Sequence, residues 1–151
     1  MMTRWILASV HLLALGIGLG AVWVRGRALR GPLDGAGVRR VLAADNAWGI
    51  AAFLWVATGL VRLFGGFEKG LDYYLGSHAF LTKMFLFVAI LGLEVWPMAT
   101  FIGWRIRLAK GETIDTRRGR LFARISLVQA LLVVLMVFLA VAVARGLGSA
   151  G

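Results

Sequence analysis

Four ionisable side chains fall inside long apolar runs of this chain: His11, Arg62, Lys83 and Glu94. A charged group at the centre of a bilayer costs about 2.5 to 3.5 kcal/mol even on insertion scales, so each of these residues is a candidate for function. A neutral imidazole can ligate haem iron, a lysine or arginine can neutralise a haem propionate, and a buried carboxylate can handle protons. The segments that contain these residues would have to position them for such chemistry.

Four apolar segments hold these residues, at 5–24, 47–64, 79–104 and 125–144. The chain is 60% hydrophobic and only 16% charged, and a helix of about 20 apolar residues matches the hydrocarbon layer of a membrane. No segment alternates with a period of two, as a membrane strand would. The sequence predicts an all-α integral membrane protein, a single domain over residues 1–151 that forms an up-down-up-down four-helix transmembrane bundle.

The ends of these segments carry local signals. Asp45 and Asn46 are good helix caps and predict that the second helix begins at Ala47. The first segment lacks a small-x-small cleavage pattern, which favours a retained helix over a signal peptide. Pro97 has no N–H to donate and would kink the third helix.

Composition narrows the classes of function. The absence of cysteine excludes disulfides and thiolate metal sites. A net charge of +10 would suggest nucleic acid in a soluble protein, but these bases flank membrane segments, so we expect anionic lipid head groups as partners and no nucleic acid. Gly16, Gly18 and Gly20 have dinucleotide-motif spacing inside an apolar helix, where close helix packing is the better interpretation.

The distribution of bases predicts the orientation. Twelve of the 17 lie between spans one and two or spans three and four: Arg25, Arg27, Arg30, Arg39, Arg40, Arg105, Arg107, Lys110, Arg117, Arg118, Arg120 and Arg124. Because basic loops stay in the cytoplasm, both termini and the loop from Gly65 to His78 are predicted outside a bacterial cytoplasmic (inner) membrane. In that outer loop Glu68 and Asp72 offset Lys69.

This orientation predicts a site in the outer half of the bundle. At 1.5 Å per residue, His11 lies roughly 9 Å below Trp5 and Lys83 roughly 7 Å below His78, so both have a similar depth. Gly18, on the face of His11, would leave room for a porphyrin ring. The hypothesis is a haem b site between spans one and three, with His11 as the iron ligand and Lys83 or Arg62 near a propionate.

Each candidate has a structural alternative. His11 could be a neutral histidine that hydrogen-bonds to a neighbouring helix, and Lys83 and Arg62 could extend to the outer head groups. Glu94 lies roughly 16 Å deeper than Lys83, where it could bind protons or join a structural network with Arg105, Gln129 or Asn46. Gln129 is a further buried polar candidate in span four.

The segments 11–14 (HLLA), 44–50 (ADNAWGI), 76–83 (GSHAFLTK) and 93–98 (LEVWPM) together resemble a bacterial family of predicted four-span membrane proteins, domain of unknown function 2214. His11, Arg27 and Lys83 also resemble positions in the HemJ-type protoporphyrinogen oxidases, which are associated with haem b. Leu81 stands where that family has a histidine, and the family's Asn-Glu pair is missing before Ile125. The resemblance implies a porphyrin near His11 and Lys83. Because of these two departures, the enzymatic activity of the HemJ-type family is not assigned to this chain.

Three functions therefore stay open from the sequence. The first is a haem-binding or redox membrane protein. The second is a small transporter component in which Lys83, Glu94 and Gln129 line a polar path, which would need a homo-oligomer to be wide enough. The third is an accessory structural subunit whose helices brace a membrane partner. No catalytic motif decides whether the protein is an enzyme.

Overall fold

A computed structural model describes residues 2–65, 76 and 78–145 of the chain. This part contains four helices and no strand: α1 (Met2–Arg30), α2 (Gly35–Phe64), α3 (His78–Ala109) and α4 (Gly119–Ala144). All four are long and apolar enough to cross a membrane. The predicted all-α four-span bundle is therefore confirmed, and the predicted outer-loop charges Glu68, Lys69 and Asp72 lie outside the described residues.

The helices follow a simple order around the bundle. α1 packs against α2 and α4, and α3 packs against α4. α2 and α3 approach each other through side chains, as in the edge-to-face pair of Trp55 and Phe87, whose ring centroids are 5.7 Å apart. The order is thus α2, α1, α4, α3, which places α1 and α3 on a diagonal.

Apolar side chains fill the bundle in two groups. A central apolar layer contains Ala14, Ala21, Val22, Trp48, Trp55, Ile90, Ala130, Val133 and Met136. A second group contains Leu29, Val38, Val41, Phe101, Trp104, Phe122 and Ala123. Many other apolar side chains point outward, for example Phe53, Phe85 and Phe138, each at least 70% exposed. Lipid is the solvent that such a surface requires.

The helices extend beyond the apolar segments at one end of the bundle, where residues 31–34 join α1 to α2 and residues 110–118 join α3 to α4. We call this the arginine-rich end. α2 begins at Gly35 rather than Ala47, because Asp34 caps it by accepting a hydrogen bond of 2.7 Å from the Gly37 N–H. The capping role expected of Asp45 and Asn46 is therefore wrong, and both lie inside α2.

α3 extends beyond its expected end at Trp104. It stays helical through the buried Pro97 and ends only at Ala109. Gly111 then adopts a left-handed conformation with φ 71°. The Glu112 N–H donates to the Arg107 carbonyl at 2.9 Å and the Gly111 N–H to the Leu108 carbonyl at 3.0 Å, which is the pattern of a Schellman cap. This cap sets the path of the chain from α3 towards α4.

Candidate functional site

Arg25 lies at the centre of a buried polar group between the helices. The sequence placed it in a basic loop, but it is within α1 and its side chain is 0% exposed. Its Nε donates to Ser126 Oγ on α4 at 3.0 Å, and its Nη1 donates to Asp45 Oδ1 on α2 at 2.7 Å. The expectation that Arg25 lies in a cytoplasmic loop beside lipid head groups is thus wrong, because neighbouring helices supply oxygen acceptors for it inside the bundle.

The same guanidinium binds Glu94 in a bidentate way. Nη1 donates to Oε1 and Nη2 to Oε2, both at 2.8 Å. Nη2 also donates to Gln129 Oε1 at 2.8 Å. A guanidinium has five N–H donors, and these five hydrogen bonds use all of them. Arg25 therefore has no donor left with which to recognise a ligand.

A second arginine completes the charge balance. Arg105 Nη2 donates to Asp45 Oδ2 at 2.8 Å and to Asn46 Oδ1 at 2.7 Å. Gln129 Nε2 donates to Glu94 Oε2 at 2.8 Å and to the Ile90 carbonyl at 3.2 Å. We call Arg25, Asp45, Asn46, Glu94, Arg105, Ser126 and Gln129 the arginine cluster. Its two arginines and two carboxylates give no net charge.

This balance explains how the cluster can be buried. A charge taken out of water is tolerated only when good partners and further hydrogen bonds satisfy it, and removing one partner typically costs about 3 to 5 kcal/mol. The Phe101 ring, 5.6 Å from Arg25 Cζ, closes one side of the guanidinium. The geometry favours a structural role in which one residue from each helix is fixed to the others.

A second polar site lies near the other end of α1. His11 Nδ1 is 2.9 Å from Thr58 Oγ1 on α2. The Thr58 hydroxyl has a single proton, which it donates to the Leu54 carbonyl at 2.7 Å or the Trp55 carbonyl at 3.1 Å. In this arrangement the hydroxyl oxygen accepts from the imidazole, and the tautomer that fits it has the proton on Nδ1 and a lone pair on Nε2. We call His11, Thr58 and Trp55 the histidine site.

The surroundings of His11 combine an aromatic ring with positive charge. The Trp55 ring lies 5.9 Å from the imidazole, centroid to centroid, and its buried Nε1 has no hydrogen-bond partner among the described residues. A Cβ atom at Gly59 would come within 3.3 Å of His11 Cε1, so this glycine lets α2 approach the ring. Arg62 and Lys83 lie in the same region of the bundle as His11.

The structure places the predicted site residues in two groups. His11, Arg62 and Lys83 share one region. The hydrogen bond of His11 goes to Thr58 on α2, whereas the predicted haem site lay between spans one and three. Glu94 and Gln129 belong to the arginine cluster, 14 residues or roughly 21 Å along α1 from His11 to Arg25. Other residues of the central apolar layer, including Trp48, Ile90 and Val133, lie between the two groups.

The space expected beside Gly18 is already filled. A Cβ atom at Gly18 would lie 3.4 Å from both the Trp48 ring and Ala51 Cβ. The neighbouring cavity has a volume of only about 10 Å³, enough for a single water. The expectation of a porphyrin next to Gly18 is therefore wrong, because α2 uses the glycine for close packing.

Four functional candidates were missed from the sequence: Arg25, Asp45, Ser126 and Thr58. One signal pointed to Arg25, which continues the stripe of small buried residues Ala14, Gly18 and Ala21 along one face of α1. A polar residue on the face that packs against other helices is expected to have a partner there. Nothing local marked Thr58, whose role depends on an imidazole 47 positions away.

The described residues contain no group of three or more histidine, cysteine, aspartate or glutamate side chains that could hold a metal ion. A site made only of protein ligands is therefore not seen in this part of the chain. An iron held in a porphyrin needs only one or two protein ligands, and the histidine site could supply one.

Residues 3–148 match a family model described as "Predicted membrane protein (DUF2214)". The chain belongs to this family. Searches of the curated proteins and of the solved structures found no significant match. Membership establishes a membrane protein, and the four described helices give it four membrane spans. The family description states no activity, so any activity has to be argued from the two polar sites.

Proposed function

We propose that this member of the family binds haem b and acts in electron transfer, with His11 Nε2 as an axial ligand of the iron. The observation that carries the proposal is the hydrogen bond between His11 Nδ1 and Thr58 Oγ1, since it fixes the ring and, in the tautomer with the proton on Nδ1, leaves Nε2 as the basic nitrogen. Histidines that ligate metals nearly always donate their second ring nitrogen in this way. Bound haem would supply one-electron oxidation and reduction.

The charges near His11 support the same ligand. Haem b carries two propionates, and Arg62 and Lys83 are two cations in the same region of the bundle as His11. The Trp55 ring packs beside the imidazole of His11 and adds to the apolar surroundings of the ligand. Because the core beside Gly18 is filled, the porphyrin would bind at the surface of the bundle, where a second copy of the chain could cover it.

An absorption spectrum tests this proposal directly. The protein is expressed with added haem precursor, purified in a mild detergent and measured for a Soret band. The chain has only two histidines, so His78→Ala is the matched control for His11→Ala. We expect the wild type and His78→Ala to keep the band and His11→Ala to lose it. A wild type without the band, or a His11→Ala variant that keeps it, would refute the proposal.

A second candidate, an accessory subunit that braces a partner in the membrane, is favoured by the saturation of the arginine cluster. Every N–H of Arg25 is used within the chain, as expected of a group that holds a fold together. A polar transport path is less favoured, because the central apolar layer separates Gln129 from the histidine site. Purification that returned only the isolated chain and no stable partner would count against the accessory role.

We also propose a bacterial cytoplasmic membrane as the location, with both termini outside. This rests on the bases at the arginine-rich end, of which Arg27, Arg30, Arg39, Arg40, Arg107, Lys110, Arg117, Arg118, Arg120 and Arg124 are all exposed. Arg25 is buried and Arg105 is half-buried in the arginine cluster, so ten of the twelve predicted bases remain exposed at this end, and the asymmetry of charge is kept.

A further inference from the structure

A groove of about 260 Å³ lies at the arginine-rich end, between the end of α3 and the start of α4. Its lining includes two guanidinium groups, a carboxylate, a hydroxyl and two aromatic rings, from Arg107, Arg118, Asp115, Thr100, Trp104 and Phe122. Neither the arginine cluster nor the histidine site contributes to this lining. The groove joins a basic surface to the apolar sides of two membrane helices.

Arg118 is held in place by aromatic contacts. Its Cζ lies 5.3 Å from the centroid of the Trp96 ring. Trp96 in turn meets Phe122 edge to face, with centroids 5.5 Å apart. A guanidinium stacked on a ring is oriented and can still offer its N–H groups to an oxyanion. Trp96 is 45% exposed, so the aromatic surface continues from the guanidinium towards lipid.

The one carboxylate in the lining does not cancel the positive charge. Asp115 forms an ion pair with Arg117, whose Nη2 lies 2.8 Å from Asp115 Oδ2. Hydrogen bonds from Arg117 lower the pKa of the Asp115 carboxyl to about 2. Asp115 is therefore ionised at neutral pH, but Arg117 matches its charge. Within the described residues neither Arg107 nor Arg118 forms an ion pair. These two guanidinium groups leave the groove positive.

We propose that this groove binds an anionic phospholipid, with its phosphate between Arg107 and Arg118 and an acyl chain along the exposed face of Trp96. Arginine suits phosphate because its planar fork can donate two hydrogen bonds to the oxygens. Basic pockets between membrane helices are known to take anionic head groups. The aromatic surface is what distinguishes a lipid site from a site for free phosphate, since free phosphate has no apolar part to bury.

Native mass spectrometry of the full-length protein tests the site. The detergent-solubilised protein receives equal amounts of dioleoyl phosphatidylglycerol and dioleoyl phosphatidylcholine, and the retained lipids are counted. We expect the wild type to prefer phosphatidylglycerol by about tenfold, since each basic residue near the surface favours anionic lipid. The Arg107→Gln/Arg118→Gln variant should retain the two lipids about equally. Arg124→Gln removes a charge from the same end of α4 but outside the lining, and should keep the preference.

One further variant and a competition experiment show which results would overturn the proposed lipid site. Arg118→Lys keeps the charge but loses the planar fork, so its preference should fall between those of the wild type and the double variant. Equal retention of both lipids by the wild type, or an Arg124→Gln loss as large as that of the double variant, overturns the proposal. Displacement of phosphatidylglycerol by an equal concentration of inorganic phosphate also overturns it, because the site would then recognise phosphate without the acyl chain. Circular dichroism at 222 nm checks that each variant is folded.

Discussion

The Arg25 guanidinium and the Glu94 carboxylate form two parallel hydrogen bonds of 2.8 Å across the diagonal of the bundle, between α1 and α3. Through Asp45 and Gln129 the same guanidinium also contacts α2 and α4. Lipid tails are as apolar as leucine, so burial of apolar surface gives membrane helices little drive to associate. Packing and polar contacts of this kind must select the arrangement of the four helices.

Loss of the Arg25 guanidinium should destabilise the bundle strongly. Arg25→Gln leaves Asp45 and Glu94 buried with one counter-charge between them, and we expect a loss of about 3 to 5 kcal/mol in the free energy of unfolding. Arg27→Gln, two residues away on an exposed face, should change it by less than about 0.5 kcal/mol. Denaturant unfolding in detergent, followed by circular dichroism, measures both. Similar stabilities for the two variants would contradict a structural role for the cluster.

Removal of both charges together should be tolerated better than removal of either one. Arg25→Met leaves the cluster with one excess negative charge and Glu94→Leu with one excess positive charge, whereas the double variant is neutral again through Asp45 and Arg105. Apolar replacements of buried ion pairs are often close to neutral in stability. We expect the double variant to unfold later than both single variants in the same titration. Additive losses would show that the charge balance is not what stabilises the cluster.

Thr58 should control how well His11 binds haem. Thr58→Val removes the hydroxyl oxygen that accepts from Nδ1 and keeps the shape of the side chain, so we expect a 10- to 100-fold weaker haem affinity. Thr58→Ser restores the acceptor and should recover most of the affinity. Thr82→Val is the control, because Thr82 is exposed and donates to the His78 carbonyl. Haem titration followed at the Soret band gives the affinities, and unchanged binding by Thr58→Val would argue against the proposed orientation.

Gly18 should be needed for the packing of α1 on α2. A β-branched side chain there would overlap Trp48 and Ala51, because even a Cβ atom would already touch them at 3.4 Å. Gly18→Val should therefore lower the unfolding temperature by several degrees, in line with an overpacking cost of about 1 to 3 kcal/mol. A Cβ atom at Gly16 would meet nothing within 4 Å, so Gly16→Val serves as the control. Equal unfolding temperatures would mean that α2 can move away at little cost.

Single cysteines should report the orientation, since the chain contains none. Thr3→Cys lies at the start of α1 and Lys110→Cys follows the end of α3, at the arginine-rich end. We expect a membrane-impermeant maleimide to label Thr3→Cys in intact spheroplasts and Lys110→Cys only after lysis. The reverse pattern would show that the basic loops face outward.

Much of the fold could be predicted because hydropathy is a local property. The segments 5–24, 47–64, 79–104 and 125–144 each lie within one of the four helices. The ends at the arginine-rich side could not be predicted in the same way. Arg25 and Asp45 look like residues outside the membrane when each is taken alone, but they are partners in the folded chain. An ion pair between two helices lowers the free-energy cost of burying each charge. A hydropathy window covers one helix only, so it does not include the partner on the other helix.

The candidate sites show the same difference between what is local and what depends on the tertiary structure. His11, Arg62, Lys83, Glu94 and Gln129 could be selected as unusual from the sequence, since polar groups in apolar segments are costly. Their division into two sites depends on rotation and depth across helices. His11 hydrogen-bonds to Thr58 on α2, and Glu94 pairs with Arg25 rather than with Arg105.

The sequence by itself determined that this protein has four membrane helices and which of their polar side chains are energetically costly to bury. Only the tertiary structure decided the partners of those side chains. The small face of Ala14, Gly18 and Ala21 brings α1 close to its neighbours, and this approach sets Arg25 among carboxylate and amide oxygens from three other helices. Hydropathy is a property of each residue alone, whereas a hydrogen bond requires a donor and an acceptor about 3 Å apart. For these residues, only folding brings the donor and the acceptor that close.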